Sequence, residues 1–195
     1  MSAQQRREQL LSVGKALFAS RGYEAVTVEE IAAAAEVSKP VVYEHFGGKE
    51  GLYAVVVDRE MQALLQRITD ALTGDHPRLL LEQAWMALFD YIEGDTDGFR
   101  ILVRDSPVPT GNFASLIVEI AGKVEYLMAK QFKARGFNTR LAPMYSQMLV
   151  GMVALTGQWW LDVRKPDKDE VVAHLVNLTY NGFSHLEHKP KLSGG

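Results

Sequence analysis

Apolar residues recur at intervals of three and four along the whole chain, and runs that alternate residue by residue are nearly absent. That period belongs to helices packed by one face, so the expected fold class is all-α. Leu10, Leu11, Gly14, Leu17 and Phe18 mark the apolar face of a first helix that Gly22 stops. Thr27 heads a second helix, with Glu30 three residues on in the capping-box arrangement and Val28, Ile31, Ala32 and Ala35 turned inward. Ser38 heads a third, which admits Pro40 in its first turn and ends at Gly47-Gly48. Helices as short as the second and third do not hold alone in water. They are expected to pack on the first, with their outward face free for another task.

Longer apolar-periodic segments follow at 49–72, 77–92, 97–104, 112–135, 141–163 and 167–186, separated by breakers at 73–77 and at Ser106-Pro107-Val108-Pro109. The pattern therefore predicts about nine helices. It changes character near residue 50, from short helices with a polar outer face to long apolar ones. The expected division is a head over 1–48, a body over 49–188 and a disordered tail over 189–195.

Two short helices joined by the turn Ala35-Glu36-Val37 and supported by a longer one describe a helix-turn-helix unit. With Val37, Val42 and Phe46 turned inward, Lys39, Pro40, Val41, Tyr43, Glu44 and His45 lie on or near the outer surface. Lysine reaches phosphate or a guanine edge, tyrosine and histidine suit phosphate oxygens, and valine and proline touch a thymine methyl. Lys49 opens the fourth helix, where a cation beside free backbone N–H groups favours phosphate. Thr27 and Ser38 stand at comparable helix starts. The candidate DNA contacts are thus Thr27, Ser38, Lys39, Pro40, Val41, Tyr43, His45 and Lys49.

Composition narrows the rest. The 195 residues are 47% apolar, enough for a substantial core, and contain no cysteine, which excludes disulfides, zinc-thiolate sites and thiol nucleophiles. The start of the chain is too polar for a signal peptide, and no apolar run suits a membrane span, so a cytoplasmic setting is expected. Net charge is −3. Across 1–49, Arg6, Arg7, Lys15, Arg21, Lys39 and Lys49 balance Glu8, Glu24, Glu29, Glu30, Glu36 and Glu44. Any contact with nucleic acid must therefore rest on where charges stand, not on their sum.

Enzymatic chemistry has no visible constellation: no nucleophile elbow, zinc-protease helix or phosphate loop is present, and no cofactor is expected. Glu93-Gly94-Asp95-Thr96-Asp97-Gly98 lacks the later ligands of a calcium loop and reads as a polar turn. His174, His185 and His188 lack the carboxylate or thiol partners of a metal site.

The stretch TVEEIAAAAEVSKPVVYEHFGGKEGL, residues 27–52, resembles the N-terminal signature of the tetracycline-repressor (TetR) family. The elements that carry the likeness are Thr27, Ile31-Ala32, Val37-Ser38, Tyr43-Glu44-His45-Phe46 and Lys49-Glu50-Gly51-Leu52, with the Phe18-Ala19 and Gly22-Tyr23 ending of the first helix before them. Glu36 departs from the pattern, because the family often has glycine in this turn. A left-handed backbone there would cost about 1 kcal/mol. The resemblance implies a ligand-responsive transcriptional repressor, a helical ligand-binding body, and a homodimer formed mainly through the last two helices. Two heads about 34 Å apart would then read a palindromic operator.

Within the body, bulky and adaptable side chains are the candidates for an effector pocket: Met61, Leu65, Trp85, Met86, Phe89, Phe99, Met128, Met144, Met148 and Met152. They suit a lipophilic small molecule such as an acyl chain. Gly151 and Ala154 thin one side of the eighth helix. With Trp159 and the apolar face of the ninth (Val172, Leu175, Val176, Thr179 and Phe183) they form the candidate dimer interface. The alternative is a helical lipid or small-molecule binding protein that reads no DNA.

Overall fold

The computed structural model describes residues 2–104 and 113–192, and the regular structure among them is helical, with no strand. The helices are α1 (Ala3–Arg21), α2 (Val28–Ala34), α3 (Lys39–Phe46), α4 (Lys49–Ala71), α5 (Pro77–Gly94), α6 (Thr96–Val103), α7 (Phe113–Ala134), α8 (Ala142–Val163) and α9 (Lys168–Ser184), with a 3-10 turn at Thr139–Leu141. The expected helices all form, with ends shifted by at most a few residues. The expected break at Ser106–Pro109, the start at Asn112 and residues 193–195 lie outside the described residues; 189–192 carry no helix. By contacts the chain divides into two compact units, Met1–Leu65 with Tyr91–Leu116, and Gln66–Asp90 with Ile117–Gly195.

In the first unit α1 packs against α2 and α6. Leu10, Leu11, Gly14, Phe18 and Ala19 are its buried side, as the period of the chain dictates. Thr27 closes the capping box at the start of α2: its Oγ1 accepts from Glu30 N at 3.2 Å, and its N–H donates to Glu30 Oε2 at 2.9 Å. Phe18 and Tyr23 both meet Tyr53 edge-on, at 5.0 and 4.9 Å between ring centroids, which ties the end of α1 to α4.

Glu36 holds φ at +52°, the left-handed region the turn between α2 and α3 requires. A side chain there is strained, since its Cβ crowds the backbone carbonyl. Glu36→Gly is expected to raise unfolding free energy by about 0.5 to 1 kcal/mol, the strain relieved being partly offset by glycine's greater freedom in the unfolded chain. A higher urea midpoint at unchanged slope would register it.

The start of α6 is built on charge. Asp95 caps the helix by accepting from Gly98 N at 3.0 Å, so the supposed calcium-loop echo is a helix start. The Lys15 ammonium on α1 lies 2.7 Å from Glu60 and 2.6 Å from Asp95. Tyr91, itself buried, donates to the other oxygen of Glu60 at 2.6 Å.

In the second unit, Ser146 donates to the Ala121 carbonyl at 2.6 Å and joins α8 to α7. Phe89 meets Trp160 edge-on at 5.3 Å, and the Trp160 indole donates to Pro166 O at 2.8 Å. Tyr145 and Phe183, 5.7 Å apart, pair the start of α8 with the end of α9.

Candidate nucleic-acid interface

Helix α3 is amphipathic in the expected sense. Val42 is fully buried, Val37 and Phe46 are half-buried, and Lys39, Pro40, Tyr43 and Glu44 are exposed. Tyr43 leaves 49% of its surface open, unusual for so large an aromatic side chain. Val41 and His45 are half-buried at the margin, and Thr27 is exposed at the head of α2. Ser38 occupies the cap position of α3 but makes no capping bond with its hydroxyl.

Most cations of the head already have internal acceptors. Arg7 donates to His45 O at 2.7 Å and covers the Phe46 ring at 4.3 Å, which braces the end of α3 against α1. Lys49, a candidate phosphate contact, donates to Tyr23 O at 3.0 Å with its ammonium 4.2 Å from the Tyr23 ring centre. Sequence reasoning could not see this, because the cation–π partner lies across a loop. Arg21 bridges to Glu30 at 2.8 Å, and Lys39 donates to Glu29. Hydrogen bonding to Lys39 holds the Glu29 carboxyl below its usual range, and the same bond raises the Lys39 ammonium. Glu30 is likewise lowered, by Arg21 first and the Thr27 backbone second. The Glu29–Lys39 pair ties the starts of α2 and α3 together; its signal in the chain is only that acid and base each open a short helix.

The residues expected to line an effector pocket part company. Trp85 and Phe89 are core of the second unit and Phe99 is core of the first. Met61 and Leu65 in the first unit, and Met128 and Met152 in the second, are half-buried. Met144 and Met148 do not face inward at all: they are 45% and 53% exposed. Met86 lines an open groove of about 550 Å³ with Arg67, Leu79 and Gln83, in the second unit.

The dimer candidates divide as well. Trp159 is half-open to solvent, and Gly151 and Phe183 are intermediate. Ala154, Val172, Leu175, Val176 and Thr179 are sealed within the chain itself, so they form no outer face. Their apolar character belongs to the body's own core, a distinction periodicity alone does not make. What α8 does expose is Met144, Met148, Leu155, Trp159 and Val163, a stripe spaced four, seven, four and four. Leu155 and Val163 escaped notice in the chain, although each continues the i, i+4, i+7 progression from Met144 and Met148.

Known proteins supply the context for this geometry. The family model described as bacterial regulatory proteins, tetR family, matches residues 10–56, and the one described as tetracyclin repressor-like, C-terminal domain, matches 77–182. The HTH-type transcriptional activator FasR of Mycolicibacterium smegmatis is 33% identical over 185 residues, 93% of this chain and 84% of that protein. The HTH-type transcriptional repressor KstR2 of the same organism is 35% identical over 89 residues, covering 45% of this chain and 43% of its own. The crystal structure of a tetR-family transcriptional regulator from Streptomyces coelicolor superposes with a TM-score of 0.72 at 25% identity, covering 94% of this chain and 82% of that one. With both family models matched in order and the helix-turn-helix head formed as they require, the chain belongs to the tetR family of bacterial regulatory proteins and is a DNA-binding transcriptional regulator.

Proposed function

We propose that the chain acts in the cytoplasm as a homodimer that grips a palindromic operator with two copies of α3, and that a lipophilic small molecule taken up by the body releases it. The observation that carries the DNA contact is the outer face of α3, where Tyr43 and Lys39 stand open while Val42 beneath them is fully buried. Tyr43 hydrogen-bonds a backbone phosphate, Lys39 reaches phosphate or guanine, and Pro40 and Val41 meet a thymine methyl. The Ser38 hydroxyl, which makes no capping bond, and Thr27 orient the head on the backbone. Lys49 acts by bracing the loop at Tyr23.

Dimerisation is supported by the stripe on α8, with the exposed Leu178 of α9 as a further apolar contribution. Release requires that the effector bind better to the arrangement that does not fit DNA, with a coupling of about 1–3 kcal/mol. Within the second unit, the half-buried Met128 and Met152 are adaptable side chains available to such a molecule. Release of this kind gives repression where the operator overlaps the promoter.

Footprinting on the region upstream of the protein's own coding sequence, followed by anisotropy titration in increasing salt, tests the reading. Binding should be sequence-selective and fall steeply with salt. Tyr43→Ala should weaken it about a hundredfold, tenfold for each of the two heads, since each loses one hydrogen bond to a charged group. A saturable lipophile with no selective duplex binding would instead identify a carrier.

A further inference from the structure

The reading head carries more acid on its outer side than its fold uses. Glu30 closes the capping box on Thr27 and receives Arg21, so its carboxylate is committed to holding α2 in place. Glu29 beside it does neither. It stands in the first turn of α2 with 63% of its side chain open to solvent, and it takes the ammonium of Lys39. Lys39 is the first residue of α3, and 47% of its side chain is exposed. Arg7, Lys15 and Lys49 are directed to acceptors within the protein: the His45 carbonyl, Glu60 with Asp95, and the Tyr23 carbonyl. Lys39 is therefore the cation of α3 itself, and the Glu29 carboxylate holds its ammonium. Exposed pairs of this kind contribute little to folding. Removing Glu29 also leaves the capping box whole.

We propose that Glu29 holds Lys39 in reserve in the reading head: its carboxylate occupies Lys39 as an internal stand-in for a DNA phosphate, so that Lys39 engages a duplex only when a fitted operator displaces the pair. The inference rests on the DNA-binding reading above and deepens it. Binding without regard to sequence is almost wholly electrostatic, each neutralised phosphate adding about 0.9 to the logarithmic salt slope. A mixed-sequence duplex offers no base contacts to offset the loss of the Glu29 partner, so Lys39 stays where it is and that slope lacks its share. A fitted operator brings base edges to Tyr43 and its neighbours, and Lys39 then transfers to the DNA. Balanced charge over residues 1–49 points the same way, since a head with no surplus of cations has little to hold a random duplex.

The test uses the full chain, a mixed-sequence duplex of about 30 base pairs, long enough for two half-sites, and an operator recovered by selection from a randomised library. Anisotropy is measured between about 50 and 200 mM salt for the parent, E29Q, K39Q and E29Q/K39Q, all checked for an unchanged helical signal. For the mixed duplex, E29Q should tighten binding by up to about fivefold per head, the upper worth of an exposed ion pair, and steepen the slope by about one phosphate for each of the two heads. On the operator the slope should stay as it is, and the gain should be at least as large, because there the parent must break the pair in order to bind. With Lys39 already replaced, Glu29→Gln should change neither slope. An unchanged slope on the mixed duplex, the same gain without Lys39, or weaker operator binding by E29Q would each overturn the proposal; the last would mean that Glu29 reads a base itself. Failure of every form to bind any duplex would overturn the DNA reading, and this inference with it.

Discussion

Lys15→Met is expected to cost about 3 kcal/mol of unfolding free energy, seen as a fall in the urea midpoint. The ammonium of Lys15 serves two carboxylates, Glu60 at 2.7 Å and Asp95 at 2.6 Å, and Glu60 is buried against the Tyr91 hydroxyl. Methionine keeps the aliphatic stem packed and removes only the charge. What remains is a buried carboxylate with one neutral donor and a second acid facing it. Breaking a buried pair by deleting one partner typically costs about 3–5 kcal/mol, and the lower figure applies because Lys15 and Asp95 each keep about a quarter of their side chain in water. A second replacement, Glu60→Gln, should recover part of the loss, since it removes the stranded charge while keeping an oxygen for Tyr91. If Lys15→Met and Glu60→Gln instead add as independent losses, the cluster is not one unit.

The pH dependence of that difference has a definite sign. Burial depresses the Lys15 ammonium, but the hydrogen bonds to Asp95 and Glu60 outweigh burial and raise it above the usual lysine value. A group whose folded pKa is raised contributes fully below its unfolded pKa and loses its contribution as pH climbs through the folded one. The gap between the parent and Lys15→Met should therefore be constant from neutral pH into the alkaline range. It should close only beyond the ordinary lysine value. A gap that already closes near neutrality would show that the charge on Lys15 is not what the cluster depends on.

The same cluster shows what the chain disclosed and what it withheld. Local rules carried far: Thr27 with Glu30, the two glycines after Phe46 and the three-four period of α1 are short-range features whose physics is complete within a few residues. Glu36 was legible for the same reason, as a side chain where the turn wants φ positive. Lys15, Glu60, Tyr91 and Asp95 are separated by up to eighty residues, and nothing in any one neighbourhood announces the others. A lysine on a predicted helix face reads as solvated until the acid that meets it is placed. Lys49 illustrates the same limit: its position suits phosphate, and its contact with Tyr23 across the loop is not announced by either neighbourhood.

The body was less legible, because an apolar helical face does not say what covers it. Val172, Leu175 and Val176 follow the period of an amphipathic helix, and so do Met144, Met148 and Leu155. Only the packing of α9 into its own unit separates the first set, buried, from the second, exposed. Methionine compounded the ambiguity. Its flexible stem suits a pocket wall, a core gap and an interface alike, so residue type favoured none of the three.

That separation makes Leu155→Glu the most telling substitution in the body. Leu155 is 65% exposed in the single chain, midway along the stripe between Met148 and Trp159. A glutamate there is fully hydrated in an isolated protomer, and a surface change of this kind alters stability by about 0.5 kcal/mol at most. If α8 forms the seam of a symmetric dimer, the same substitution is buried twice, once from each protomer. Desolvating each carboxylate without a partner costs roughly 2 kcal/mol or more, so the dissociation constant should rise about a thousandfold for the pair. Sedimentation equilibrium should then show monomer where the parent is dimer, with the helical signal retained. Operator affinity should collapse with it, because two heads no longer bind as one. Val172→Ala supplies the contrast: a side chain only 1% exposed should cost stability and leave the association constant alone. A Leu155→Glu protein that still sediments as a dimer would move the seam off α8, and an association weakened by Val172→Ala instead would return it to the buried face of α9.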